Sequence, residues 1–247
     1  MNEKNRNTFV IGDIHGALKA LEQVLERAPV KEGDKLIFLG DYVDGWSDAP
    51  GVIDKLIELR PDYDCIFIRG NHDQLFYDWL TTKKDNELWL YHGGESTVKA
   101  YEEIDREKTG MHTEFLAGLD NYHIDEENRL FVHAGFTNLH GVTREYFPEM
   151  LFWDRSLWEL ALAMDKDLRP EDENFPERLK HYSEIYIGHT PTIRLGATEP
   201  LNIASIWNLD TGAAYRSPLT IMNVDTKEFW QSDNADQLYP HEKGRNR

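Results

Sequence analysis

The first third of the chain alternates short runs of Val, Ile and Phe with stretches in which apolar residues return every three or four positions. These are the periods of strands and of helices packed on one face. Residues 9–12 read as a strand, 17–28 as an amphipathic helix and 35–40 as a second strand. A helix over 50–60 follows, with Pro50 in its first turn, then a strand over 65–69 and a helix over 74–81. This βαβ order predicts a layered α/β sheet. Further strands are predicted at 130–133, 184–187, 205–209 and 219–224, the last two forming an antiparallel pair around Asp210-Thr211-Gly212. A four-layer α/β/β/α sandwich with two mixed sheets accommodates the whole series.

No Gly/Ser or Pro-rich tract interrupts the 247 residues, so one domain over 1–247 is expected, and 40% hydrophobic content is enough for a core of that size. Residues 164–177, dense in charge and carrying Pro170 and Pro176, read as a solvated loop, and 231–247 as a polar, frayed tail. The net charge of −18 argues against a nucleic-acid or anionic-membrane surface. It also repels phosphorylated substrates unless cations sit in the site, and bound divalent ions supply them. Residues 1–8 are polar and lead straight into a strand, with no signal-like apolar region and no membrane span, so a soluble, cytoplasmic protein is expected. Cys65 is the sole cysteine and lies in an apolar run, which excludes an internal disulfide and predicts a buried structural thiol.

Candidate chemistry sits where the strands stop. The first ends in Gly12-Asp13-Ile14-His15-Gly16, the second in Gly40-Asp41-Tyr42-Val43-Asp44 and the third in Gly70-Asn71-His72-Asp73; later runs end in His133-Ala134-Gly135 and Gly188-His189-Thr190-Pro191. Open α/β sheets gather ligands at the carboxyl ends of their strands, so these residues are expected to converge. Asp13 and His15, two residues apart, face the same side of an extended segment and can grip one cation; Asp41, with two carboxylate oxygens, can bridge two. A mixed oxygen and nitrogen donor set suits Mn²⁺, Fe or Zn²⁺ better than Ca²⁺.

The ordered series GDIHG, GDYVD, GNHD, HAG and GHTP resembles the calcineurin-like metallophosphoesterases, in particular the phosphoprotein phosphatase branch with its bacterial and phage serine/threonine phosphatases and the related symmetrical diadenosine tetraphosphatases. Trp89 with Gly93-Gly94, Trp153-Asp154-Arg155 and Leu209-Asp210-Thr211-Gly212 are similar to elements of the bacterial members. The resemblance implies the metallophosphoesterase sandwich and two divalent metal ions, manganese first, with iron or zinc as alternatives. Asp13, His15 and Asp41 would hold one ion, and Asp41, Asn71, His133 and His189 the other. Pro191, where many relatives outside this branch carry a second His, favours the phosphoprotein phosphatase pattern. Two such metals about 3.5–4 Å apart yield a bridging hydroxide for in-line attack. His72 is the candidate general acid for the leaving group, with Asp44 orienting it.

One position departs from the pattern. Related phosphatases follow GDxVD with Arg-Gly, and that arginine holds a phosphate oxygen; here Gly45-Trp46-Ser47 follows. Its loss is expected to weaken phosphate binding or alter substrate choice, leaving Arg155 as the main clamp. Residues 136–182 are expected to form helices and loops over the site and to set that choice. The leading expectation is a phosphomonoesterase of the serine/threonine phosphoprotein type, acting on phosphorylated proteins or small phosphate esters. The alternatives are a dinucleoside polyphosphate hydrolase and, last, a non-catalytic scaffold.

Overall fold

Every apolar run predicted as a strand contains one of three or four residues in the computed structural model, which describes residues 6–246. Among the described residues ten strands form: β1 Thr8–Ile11, β2 Lys35–Phe38, β3 Asp64–Phe67, β4 Tyr122–Ile124, β5 Arg129–Val132, β6 Glu184–Ile187, β7 Leu201–Ile203, β8 Ile206–Asn208, β9 Thr220–Asn223 and β10 Phe229–Gln231. They make two five-stranded mixed sheets, ordered β10-β9-β1-β2-β3 and β4-β5-β6-β8-β7. Three parallel strands in the first sheet, β1-β2-β3, extend antiparallel through β9 and β10 on the β1 side and end at β3; in the second, β5-β6-β8 is flanked by antiparallel β4 and β7.

Helices Leu18–Arg27 and Ala49–Leu59 pack on the outer face of the first sheet, their apolar stripes (Leu21 and Val24; Val52, Ile53 and Leu56) joining Phe9, Ile11, Leu36 and Phe38. Helices Met150–Trp153 and Ser156–Ala163 contribute Leu151, Phe152, Leu157 and Trp158 to a layer with Leu130, Val132, Ile185 and Ile187. Between the sheets lies a third apolar layer from both, including Val10, Ile37, Phe131, Tyr186 and Met222. The strands alternate their side chains between the middle and outer layers, as period-two geometry requires. Phe131 is fully buried in the middle layer and stacks on Tyr186 with ring centroids 4.8 Å apart. Phe131→Ala is therefore expected to cost about 3–5 kcal/mol of stability, read as a lowered urea midpoint at unchanged slope.

Two expectations are corrected. Residues 205–209 and 219–224 do not pair with each other: β8 lies between β6 and β7 in the second sheet, and β9 between β1 and β10 in the first. Neighbours bury Ile206, Asn208 and all four residues of β9, so each strand inserts into a sheet interior rather than forming an isolated ribbon. The Asp210-Thr211-Gly212 segment crosses between sheets, held where Thr211 Oγ1 meets Thr220 Oγ1 at 2.8 Å. Nor is the segment after Gln231 frayed. It forms helix Ala235–Leu238 and then packs Tyr239, 2% exposed, flat on Trp46 at 5.2 Å. Arg247 lies outside the described residues.

Residues 165–174 are largely solvated, with Phe175 turned inward. Cys65 is half-buried in β3, and burial pushes its thiol up to about 12, far from a reactive thiolate. Among the described residues no helix is long and apolar enough to cross a membrane.

Candidate metal centre and active site

The two parallel trios, β1-β2-β3 and β5-β6-β8, are followed by Asp13, Asp41, Asn71, His133, His189 and Asp210, and these residues meet. The backbone laces the motifs together. Asp41 O accepts from Ile14 N at 3.1 Å and His15 N at 2.8 Å, and His189 N donates to Asp13 Oδ2 at 2.9 Å. Asp73, third residue of helix Asn71–Thr82, accepts from Gly70 N, Asp41 N and Tyr42 N, each at 2.8 Å. The helix thus starts three residues earlier than its apolar pattern suggests, because Asp73 caps it and places Asn71 and His72 in the first turn. At Gly188 any Cβ would land on Asp13 Oδ1.

His15, Asp41, Asp44 and His189 all take left-handed φ values, 53°, 53°, 71° and 67°. Non-glycine residues pay roughly 1–3 kcal/mol for such backbone. The expense aims four polar side chains at one point.

That point calls for a cation. Nδ1 of His15 donates to the Val43 and Asp44 carbonyls at 3.1 and 2.9 Å, so its Nε2 carries a lone pair, which faces Asp41 Oδ2 at 3.4 Å and, on another side, Arg245 Nη1 at 3.4 Å. His133 repeats the arrangement: Nδ1 donates to Leu39 O at 2.8 Å, while Nε2 faces Asn71 Oδ1 at 3.2 Å and Asp41 Oδ1 at 3.5 Å. Asp13 Oδ1 and His189 Nε2 are buried with no hydrogen-bond partner. Lone pairs facing oxygens, and buried acceptors facing nothing, are costly unless a positive ion lies among them. Among the described residues two donor groups are compact enough for one, His15–Asp41–His72 and Asp41–His133–His189, and Asp41 belongs to both.

The electrostatics agree. Burial, then the charges of Asp210 and Asp41, holds Asp13 well above the ordinary carboxylate range, and burial pushes Asp41 and Asp210 up to about 7. Burial first, with neighbouring cationic groups second, depresses His15, His72 and His189 well below the usual imidazole value. The neutral imidazoles are ready to ligate a metal, whereas the crowded carboxyls must give up protons to do so.

His72 Nδ1 lies 2.6 Å from Asp44 Oδ2. Asp44 is fully buried and also accepts from Trp89 Nε1 at 2.5 Å and Thr97 Oγ1 at 2.7 Å. Burial pushes its carboxyl up to about 7, with the Thr97 and Trp89 hydrogen bonds pulling the other way. With Nδ1 committed to Asp44, Nε2 is the atom of His72 free to meet substrate or metal.

Above this cluster opens a cavity of about 950 Å³. Arg155, the expected phosphate clamp, lines it, as do Arg194 and Arg245, which sequence reasoning passed over. Trp153, Tyr91 and Tyr215 supply aromatic wall. His92 also lines the cavity. Trp46 is wholly buried, donating from Nε1 to Ala213 O at 2.7 Å, and Arg69 binds Gln74 Oε1 and the Ala117 and Leu119 carbonyls, so both are structural. His112 is buried elsewhere, between the Tyr101 hydroxyl and Asp54. Of the overlooked groups, Asp73 and Asp210 carried a signal, each standing within a motif at a strand end. Thr97, Arg194 and Arg245 carried none.

Comparison with known proteins follows the same lines. A model of the calcineurin-like phosphoesterase family matches residues 7–210. The chain is similar to the asymmetrical bis(5'-nucleosyl)-tetraphosphatases PrpE of Oceanobacillus iheyensis, 26% identical over 89% of each chain, and of Anoxybacillus flavithermus, 28% identical over 89% of this chain and 91% of the relative. Its fold is similar to that of a protein serine/threonine phosphatase of Saccharomyces cerevisiae, with a TM-score of 0.60 at 14% identity, covering 94% of this chain and 81% of that one.

Proposed function

The chain belongs to the calcineurin-like phosphoesterase family, a hydrolase acting on phosphate esters, and on that premise we propose that it cleaves dinucleoside polyphosphates at a dinuclear metal centre. The observation that carries this reading is the cavity wall: Arg155, Arg194 and Arg245 line the cavity that opens on the cluster, together with Trp153, Tyr91 and Tyr215. In a protein of net charge −18, three guanidinium groups at one mouth suit several phosphates in a row. Aromatic walls suit the flanking bases, whose stacking is worth about 1–3 kcal/mol each. The relatives named as tetraphosphatases support the same reading.

Asp13, His15 and Asp41 would hold one ion, manganese by preference, and Asp41, Asn71, His133 and His189 the second. When bound, such ions lower the pKa of water and stabilise charge on phosphoryl oxygens. The chain's own part is to orient and to move a proton. The arginines fix the phosphate chain, and Asp44 keeps the His72 ring in place through Nδ1. With Asp44 pushed up to about 7, the pair can hold one proton between Nδ1 and Asp44 and a second on Nε2; it is the Nε2 proton that passes to the leaving oxygen while the other stays on Nδ1.

That last feature favours a second reading, the serine/threonine phosphomonoesterase. An alkoxide leaving group needs a proton, whereas a phosphate leaves as an anion near neutral pH, its second pKa being about 6. Turnover of diadenosine tetraphosphate and of a phosphothreonine peptide, measured side by side with Mn²⁺, decides between them. A higher kcat/KM for the dinucleotide is expected; preference for the peptide overturns it. Products resolved as ATP and AMP, rather than two ADP, would match the asymmetrical cleavage named for the relatives.

A further inference from the structure

We propose that Arg245 is a phosphate ligand of this site, carried across 230 positions of sequence to the His15 side of the cluster, in place of the arginine absent at position 45. Its Nη1 stands 3.4 Å from His15 Nε2. Among the described residues no carboxylate forms an ion pair with it; Asp41, Asp44 and Asp210 feel its charge from farther off, so the guanidinium that lines the cavity adds positive potential to the cluster.

Its seat is built. Gly45 and Gly93 take φ values of +123° and +121°, and a Cβ on either would meet Arg245 Cγ, at 3.5 and 3.2 Å. The aliphatic stem therefore runs in a slot along both glycines, where a Cβ would stand at ordinary contact distance at Gly45 and would crowd it at Gly93. Ser96 holds the slot's walls together, accepting from Gly45 N at 3.0 Å and donating to Gly93 O at 2.7 Å. The strap bearing the arginine is tied to the loop that follows Asp44. Ser47 donates to both oxygens of Glu242, through N at 2.9 Å and Oγ at 2.7 Å. Tyr239 stacks on Trp46 and donates to Asp48 Oδ2 at 2.7 Å, and Gly244 lies against the Trp46 ring. Arg245 N donates to Ala214 O at 2.8 Å, next to Tyr215, whose ring the guanidinium overlies at 5.7 Å. Three independent anchors fixing one arginine at a polar cluster resemble the preorganisation of a binding group, not a stray surface contact.

The inference rests on the phosphoesterase reading but not on which ester is cleaved, because inorganic phosphate probes the shared phosphoryl oxygens. Calorimetric titration of phosphate into the Mn²⁺-loaded protein compares wild type with Arg245→Gln, which keeps most of the stem, and Arg245→Lys. Loss of a charge-assisted hydrogen bond should weaken phosphate binding by about 10–100-fold in Arg245→Gln, with Arg245→Lys between, metal content unchanged and KM raised for every ester turned over. Gly93→Ala, which crowds the slot without touching the charge, should give the same direction of change. Unchanged phosphate affinity in Arg245→Gln overturns the proposal. So does tighter binding with faster turnover, the mark of a plug rather than a ligand, and so does loss of metal in step with phosphate. A wild-type preference for phosphopeptide would sink the dinucleotide reading while leaving this comparison intact.

Discussion

Replacing His72 by Ala is expected to lower turnover of an alkyl phosphate ester by about 10²–10⁴-fold with metal content unchanged. Two features set the size. Nδ1 is engaged by Asp44 at 2.6 Å, and the pair is buried, so the ring is locked with one nitrogen turned to the cavity. Asp44 is in turn saturated by Trp89 and Thr97, which gives it no room to do anything but hold His72. Asp44→Asn should give a comparable loss, since an amide NH₂ turned toward Trp89 and His72 would meet donors and disfavour the working tautomer. Toward a dinucleoside tetraphosphate the loss should be smaller, because the leaving phosphate needs less help from a proton. Steady-state kinetics on both substrates, with metal analysis of the same samples, checks each point. If metal falls in proportion to activity, His72 is a ligand, a role its membership of the His15–Asp41–His72 group permits, and the acid assignment fails.

The second large effect is thermal. Removing divalent metal should lower Tm by about 5–10 °C relative to protein saturated a hundredfold above Kd, from a linkage of about 2.7 kcal/mol and roughly 2–4 °C per kcal/mol for a domain of this size. The sign with pH follows from the carboxyls. Asp41 and Asp210 are raised to about 7 in the folded protein, so in the metal-free state their protonated forms favour folding. That contribution is complete below the unfolded value near 4 and is lost as pH rises through about 7. The depressed His15, His72 and His189 act oppositely: folding is penalised as the unfolded chain takes up protons below about 6.5, and the penalty vanishes above it. Metal must displace protons from the carboxyls and needs the imidazoles neutral, so the metal-induced rise in Tm should grow between pH 6 and pH 8. Differential scanning fluorimetry with and without chelator reads it; a rise that shrinks with pH would contradict this account.

Much of the architecture was legible because strands and motifs here coincide. Val, Ile and Phe runs gave β1, β2, β3, β5 and β6 to within a residue or two, and Asp13, Asp41, Asn71, His133 and His189 stand just beyond them. Local pattern failed where the decision was tertiary. β8 and β9 both look like strands, yet whether they pair depends on which sheet has an interior place for each, and no spacing between 205 and 224 encodes that. The edge strands β4, β7 and β10 are three residues long and mixed in polarity, too short for periodicity to register. Residues 231–246 are polar and look unstructured, but their order comes from single anchors, Ala235, Tyr239 and Glu242, on distant partners. Position 45 shows the same limit: the sequence displayed a missing arginine, and only the folded chain displays the space that its absence leaves for another.

That long reach bears on how the protein comes into being. Synthesis at about 5–20 residues per second delivers Asp13, His15, Asp41 and Asn71 with the first three strands, well before His133, His189 and the strap that ends beside His15. Until the second sheet docks, an acidic half-site stands alone, without the imidazoles that complete it. Contacts of such sequence separation form late. Tight metal capture should thus coincide with the closing step of folding, so a chain interrupted during synthesis would lack not only activity but the means to take up its metal.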